Sequence, residues 1–250
     1  MQIDPTRTKM IRIQYERQLT SLYKYFAKKH IPRLIQAVIE EQQKHKNQKH
    51  SMGITDDVDK YLDIRINGYI LTPSKNITKH NITEAYTKGV KKANKDLQRG
   101  DSLIPLHELT PGDYEAITNL MEINFNRIKD CTTNMKNAIT YSCTKGVMNG
   151  WGSDKIAYEL MHNVEGNNNM GIVRARMIAR TETINAYNTA SETRYKSNGY
   201  TRKDMVWITA FDERTCDECV GNDEKTIETI GEIPPVHPNC RCSIALKTEE

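Results

Sequence analysis

Apolar residues recur at three- and four-residue spacing along most of the chain, the period of helices with one buried face. Ile11, Tyr15, Leu19, Leu22 and Phe26 form the first stripe, and Leu34, Ile35, Val38 and Ile39 form a second beyond Pro32. Val58, Tyr61, Leu62 and Ile66 predict a third helix, ending near "LTPS". A further helix is expected over 77–97, with Ile82, Ala85, Val90 and Ala93 on its buried side. "EEQQKHKNQKHSMG" reads as a polar linker or helix end and "RGDSLIPLHELTPGD" as a loop.

The next helix has the best-marked start. Thr110 suits the N-cap, Pro111 the first helical position, and Asp113 can reach back to complete a capping box. Ile117, Leu120, Met121, Phe125, Ile128, Met135 and Ile139 then hold helical spacing, as one rod or as two helices broken near "DCTTN". Ser153 is expected to cap the following helix, which buries Ile156, Leu160 and Val164 before a turn at "EGNNN". Ile172, Ala175, Ala179, Ala186 and Ala190 make a narrow stripe of mostly small residues, which permits close helix packing. Beside it run Glu182, Asn185, Thr189 and Glu192, of which two four apart could share a ligand or proton; the other reading is that Arg176, Arg180, Glu182 and Asn185 join a structural hydrogen-bond network. Gly199 is placed to end the helix.

From "MVWITAFD" onward the period changes to two. Val206, Ile208 and Ala210 alternate with Trp207, Thr209 and Phe211, the signature of a strand. The expected fold class is therefore mainly α-helical and elongated, with a small α+β C-terminal module. The expected parts are a basic helical arm over 1–50, a helical body over 51–200 and the module over 201–250.

Composition adds two things. Only 37% of the 250 residues are apolar and mean hydropathy is -0.70, which suits a helix-rich protein with much wet or partner-facing surface. Charge is uneven. Net charge is +4, yet residues 1–50 hold eleven Lys/Arg against four Asp/Glu. Such an arm on a near-neutral body points to packaged DNA or an acidic protein surface as its partner. No apolar run reaches the length of a membrane span, and the N-terminal stretch lacks signal-peptide features.

Four of the six cysteines lie within "CDECVGNDEKTIETIGEIPPVHPNCRC", residues 216–242. Cys216 and Cys219 have the two-residue gap of a zinc knuckle. His237, Cys240 and Cys242 follow about twenty residues on, as a second half-site. Thiolate and imidazole are suitable ligands for one structural zinc ion, which needs four of the five donors. A redox dithiol, disulfides and plain packing are the other readings of the same residues. An enzymatic alternative would set His237 and Asp212 to work in a zinc-dependent nuclease or hydrolase. A cellular zinc-containing DNA-binding protein is a third class, although the basic charge lies far from the cysteines and no recognition helix follows them.

"RARMIARTETINAYNTASETRYKSNGY", "WITAFDERTCDECVGNDEKT" and "PPVHPNCRC", in that order, resemble the signature of the phage head morphogenesis family, typified by Mu F-like minor head proteins. The matching positions are Arg180, Thr181, Glu182 and Asn188, then Trp207 and Asp212. They continue with Cys216, Cys219, His237, Pro238, Cys240, Arg241 and Cys242. The resemblance implies a minor capsid protein built into the head beside the phage portal protein, in several copies. It implies a role in head morphogenesis and DNA packaging or delivery, and no catalytic activity.

Overall fold

The computed structural model describes residues 4–44, 52–98, 109–165 and 171–247. The order is α1 (Lys9–Lys44), α2 (Met52–Ile66), a π-helical turn (Asn67–Leu71), α3 (Thr72–Gln98), α4 (Pro111–Met148), α5 (Ser153–Glu165) and α6 (Gly171–Ser197). Then come β1 (Met205–Ile208), the short helices α7 (Asp217–Asn222) and α8 (Ile227–Ile230), and β2 (Ser243–Leu246). The chain is thus mainly helical with a small strand pair. The turn expected at "EGNNN" and most of the loop after α3 lie outside the described residues.

Helix α1 runs through Pro32 where two separate stripes were expected. An interior proline costs about 3 kcal/mol. Here the buried row Phe26, Ala27, Ile31, Leu34 and Val38 continues on both sides of it, while Pro32 itself is exposed. Packing along that row outweighs the lost hydrogen bond. In the same row Tyr23, not Leu22, takes the buried place.

The helix expected to end near "LTPS" does not end there. It widens into the π turn and continues as α3. The Thr72 N–H reaches the Asn67 carbonyl, Ile70 is fully buried, and Ser74 donates to the Leu71 carbonyl at 2.7 Å. The wider turn absorbs Pro73, which has no N–H to donate.

Helix α4 is one unbroken helix of 38 residues. Its start is the expected capping box: the Asp113 N–H meets Thr110 Oγ1 at 3.3 Å and the Thr110 N–H meets Asp113 Oδ2 at 2.7 Å. Its buried face carries Ile117, Leu120, Ile128, Cys131, Met135, Ile139 and Cys143, so both lone cysteines serve as core residues. Burial raises the thiol pKa of each, which keeps them protonated. Gly152, not Ser153, caps α5, because its carbonyl accepts the Ile156 N–H at 3.1 Å. Helix α6 ends as expected at Gly199 (φ +86°), with the paired bonds Gly199 to Lys196 and Tyr200 to Tyr195 of a Schellman motif.

The chain forms two compact units. One combines 16–77 with 125–176. The other combines the first 15 residues with 78–124 and 177–250. In the second unit the Tyr15 hydroxyl joins Thr78 (2.9 Å) and Asn124 (2.8 Å), tying α1, α3 and α4. Arg194 of α6 pairs with Asp113 at 2.8 Å, both side chains nearly fully buried, and Tyr86 donates to the same carboxylate at 3.0 Å. Asp113 thus serves as helix cap and buried counterion at once.

Strands β1 and β2 pair antiparallel, with Trp207 opposite Ile244. Met205, Trp207 and Thr209 face inward. Phe211 does not share that side. The strand stops at Ile208, and Phe211 lies at φ 44° and is 55% exposed. The C-terminal module has no core of its own. Trp207, Met205, Ile227, Ile244, Cys219, Cys240 and Cys242 form one cluster with Ala93 and Leu97 of α3 and Tyr195 of α6.

Candidate metal centre

Each donor is held by a different local device. The carboxylate of Asp212 accepts the Arg214 N–H at 3.0 Å, and Thr215 Oγ1 accepts the Asp212 N–H at 2.9 Å. This turn ends β1 and delivers Cys216 to the N-cap of α7, where its sulfur accepts the Cys219 N–H at 3.5 Å. One helical turn therefore aims both sulfurs to the same side. Thr209 locks the arrangement from below by donating to the Cys219 carbonyl at 2.7 Å.

The second half-site is positioned by α6. Asn188 donates to the carbonyls of Pro234 and Cys242, each at 3.0 Å. Thr181 accepts the Asn239 N–H at 3.0 Å. Arg241, between the two cysteines, grips both oxygens of Asp212 through both terminal nitrogens, which ties the second half-site to the turn before the first. Lys92 of α3 bonds the Ile244 carbonyl, Asp96 (2.6 Å) and Tyr195, pinning β2 to the helices. Of the expected α6 network, Asn185 donates to Glu182 at 3.3 Å and Arg176 pairs with Glu16 at 2.6 Å; farther along the polar row Glu192 pairs with Arg202 at 2.7 Å.

The five expected donors come together as two overlapping groups that share Cys219. One is Cys216, Cys219 and His237; the other is Cys219, Cys240 and Cys242. His237 Nε2 lies 3.3 Å from Cys216 Sγ and 3.1 Å from Cys219 Sγ, and Cys219 Sγ lies 3.8 Å from Cys240 Sγ. Donors about 2.0–2.3 Å from a tetrahedral zinc ion stand about 3.5–3.8 Å apart, close to these separations. The cysteines are free thiols in the structure. His237 Nδ1 sits 3.0 Å from the Pro238 carbonyl, which can only accept. Nδ1 therefore carries the proton and Nε2 turns its lone pair toward the sulfurs, the orientation of a metal-binding imidazole.

Electrostatics agree with this fit. Burial pushes the Cys219 thiol up, and the hydrogen bond with Cys242 followed by burial does the same to Cys240. Cys242 is drawn down to about 6, first by the hydrogen bond from Cys240 and against its own burial. Without a cation, several sulfurs this close cannot all ionise. A bound dication would carry them as thiolates. The cluster has the donor chemistry to hold a metal ion.

The sequence pointed to all five donors but not to what holds them. Asn188, Thr181, Asp212 and Arg241 stand out there only as positions of a family-like pattern. Their pairing, and the role of Lys92, appear only in three dimensions.

Residues 137–245 match the family described as phage Mu protein F like protein. That stretch begins within α4 and takes in α5, α6 and the whole cysteine module. No curated protein and no solved structure matches the chain.

Proposed function

We propose that this chain, whose residues 137–245 match the phage Mu F-like family, is a minor head protein that joins the portal during assembly and acts structurally. The observation that carries this reading is the coincidence of the family match with the architecture of the donor cluster. Four of the residues that hold the donors, Thr181, Asn188, Asp212 and Arg241, are family-like positions, and they tie the cysteine half-sites to each other and to α6. One zinc ion, held by four of Cys216, Cys219, His237, Cys240 and Cys242, completes the same scaffold. It supplies folding energy there and no reaction. Asp212 is the residue an enzymatic reading would need as a base. Its carboxylate is held by Arg241 and the Arg214 N–H and is only 15% exposed.

A portal ring offers repeated equivalent surfaces, so several copies per particle are expected, each making the same heterologous contact. Co-expression with the portal protein of the same phage, followed by size-exclusion chromatography and cross-linking, tests the proposal. The chain should co-elute with the ring, with cross-links concentrated over the helices rather than in the cysteine module. A chain that never co-elutes and is absent from assembled heads would overturn it.

A further inference from the structure

Tetrahedral zinc takes four donors, and the five in the cysteine module do not stand alike. Two segments make the same kind of turn. At Cys216 the Val220 N–H meets the Cys216 carbonyl at 3.0 Å, and the Cys219 N–H meets the Cys216 sulfur at 3.5 Å. At His237 the Cys240 N–H meets the His237 carbonyl at 3.2 Å, with Asn239 at φ 62° closing the turn. Each turn presents two donors with a two-residue gap between them, the spacing of a zinc knuckle. Contacts then join the two pairs. His237 Nε2 lies 3.3 and 3.1 Å from the sulfurs of the first turn, and Cys219 Sγ lies 3.8 Å from Cys240 Sγ.

Cys242 belongs to a different element. Ser243 pairs with Ile208 and Ile244 with Trp207, so Cys242 stands at the entrance to β2, two residues before Ile244 and on its inward side. Its sulfur takes the Ala210 N–H and faces the Trp207 indole. The Trp207 side chain is fully buried, and its N–H has no hydrogen bond of ordinary geometry among the described residues. A buried N–H left without an acceptor is costly, and the Cys242 sulfur is the acceptor this one has at hand.

Charge points the same way. Three thiolates already exceed the two charges of the ion, and a fourth in this buried cluster would leave a second net negative charge out of water. A neutral imidazole in the fourth place avoids that cost. We infer that Cys216, Cys219, His237 and Cys240 hold the ion, and that Cys242 stays a core thiol whose sulfur serves the Trp207 N–H. The closeness of Cys242 to Cys219 and Cys240 is then that of a neighbour packed behind two ligands. The inference rests on the structural zinc of the preceding proposal and narrows it from five donors to a defined four.

The test uses the full chain loaded with zinc. X-ray absorption at the zinc edge should count three sulfurs and one nitrogen around the ion. Competition with a chromogenic chelator then ranks the variants. Cys240→Ser should weaken zinc binding by more than about a hundredfold, beyond what loss of an outer partner costs, and Cys242→Ser by less than about tenfold. Cys240→His keeps a donor in place should the serine variant fail to fold, and its spectrum should change to two sulfurs and two nitrogens. Cys242→Ala should hold the ion as well, but melt below Cys242→Ser because the Trp207 N–H has lost its acceptor. Four sulfurs around the ion in the wild-type chain would overturn the ligand set and leave the structural zinc standing. So would loss of the ion in Cys242→Ser as deep as in Cys240→Ser, or a Cys240→His spectrum that still shows three sulfurs and one nitrogen. A wild-type chain that takes up no zinc overturns both readings.

Discussion

His30 shows how much a single buried residue imposes. It is 1% exposed, set among Phe26, Tyr61 and Tyr69, with Nδ1 3.3 Å from the Tyr61 hydroxyl and Nε2 buried with no hydrogen-bond partner among the described residues. Burial first, then Arg65, Arg33 and Lys29, hold its pKa below the ordinary imidazole value. The linkage has a definite sign. Below about pH 6.5 the unfolded chain protonates this histidine while the folded chain does not, so folding stability falls as pH drops. His30→Gln should therefore flatten the pH dependence of unfolding free energy between about pH 6.5 and pH 5. The difference in slope should be at most about 1.4 kcal/mol per pH unit. Identical slopes in urea titrations of the two proteins would refute this. Asp113 carries the opposite lesson. Its capping role was readable from Thr110 three residues earlier, but its partner Arg194 is 81 residues away and no local pattern announces it.

At the scale of elements, α3 and α6 are set by one close approach. A Cβ added to Gly89 would collide with the Tyr187 carbonyl oxygen and sit 2.8 Å from the Ala190 Cβ. The small residues of α6 make that approach possible. In an isolated helix Gly→Ala gains about 1 kcal/mol. At Gly89 the obstacle is backbone, which cannot rotate away, so Gly89→Ala should destabilise the protein by about 1–3 kcal/mol. Gly68→Ala, where the added Cβ meets nothing within 4 Å, should not. Thermal unfolding of the two variants checks the contrast, and an unchanged or raised Tm for Gly89→Ala would contradict it. The helix pattern itself was plain in the sequence. The continuity of α1 through Pro32 and of α2 through the π turn was not. A proline's local cost is visible in a sequence, whereas the burial that outweighs it depends on distant residues.

For the whole molecule, the shared core makes the metal question a folding question. The module's buried residues continue into α3 and α6, so losing the ion should expose Trp207 and loosen its contact with Tyr195 and Leu97. Protein purified without added metal should hold about one zinc per chain. Chelation, or Cys216→Ser, should red-shift Trp207 emission in a Trp151→Phe background while most helical circular dichroism persists. Metal-free protein whose Trp207 emission does not respond to chelator would refute a structural ion.

What the sequence determined by itself was whatever a short stretch of chain enforces. That covers the helical stripes, the capping box at Thr110, the glycine stop at Gly199, and the residue types and spacing of the two half-sites. The strand at "MVWITAFD" was legible, but β2 was not. Four residues carry too little period, and Ser243–Leu246 becomes a strand only because Trp207 and its neighbours pair with it. Likewise only the tertiary structure decided that Cys216 and Cys219 meet His237 and Cys240, and that Asp212 is engaged by Arg241. These facts depend on segments tens of residues apart being brought within a few ångströms. Chain geometry leaves that undetermined until the apolar faces have packed.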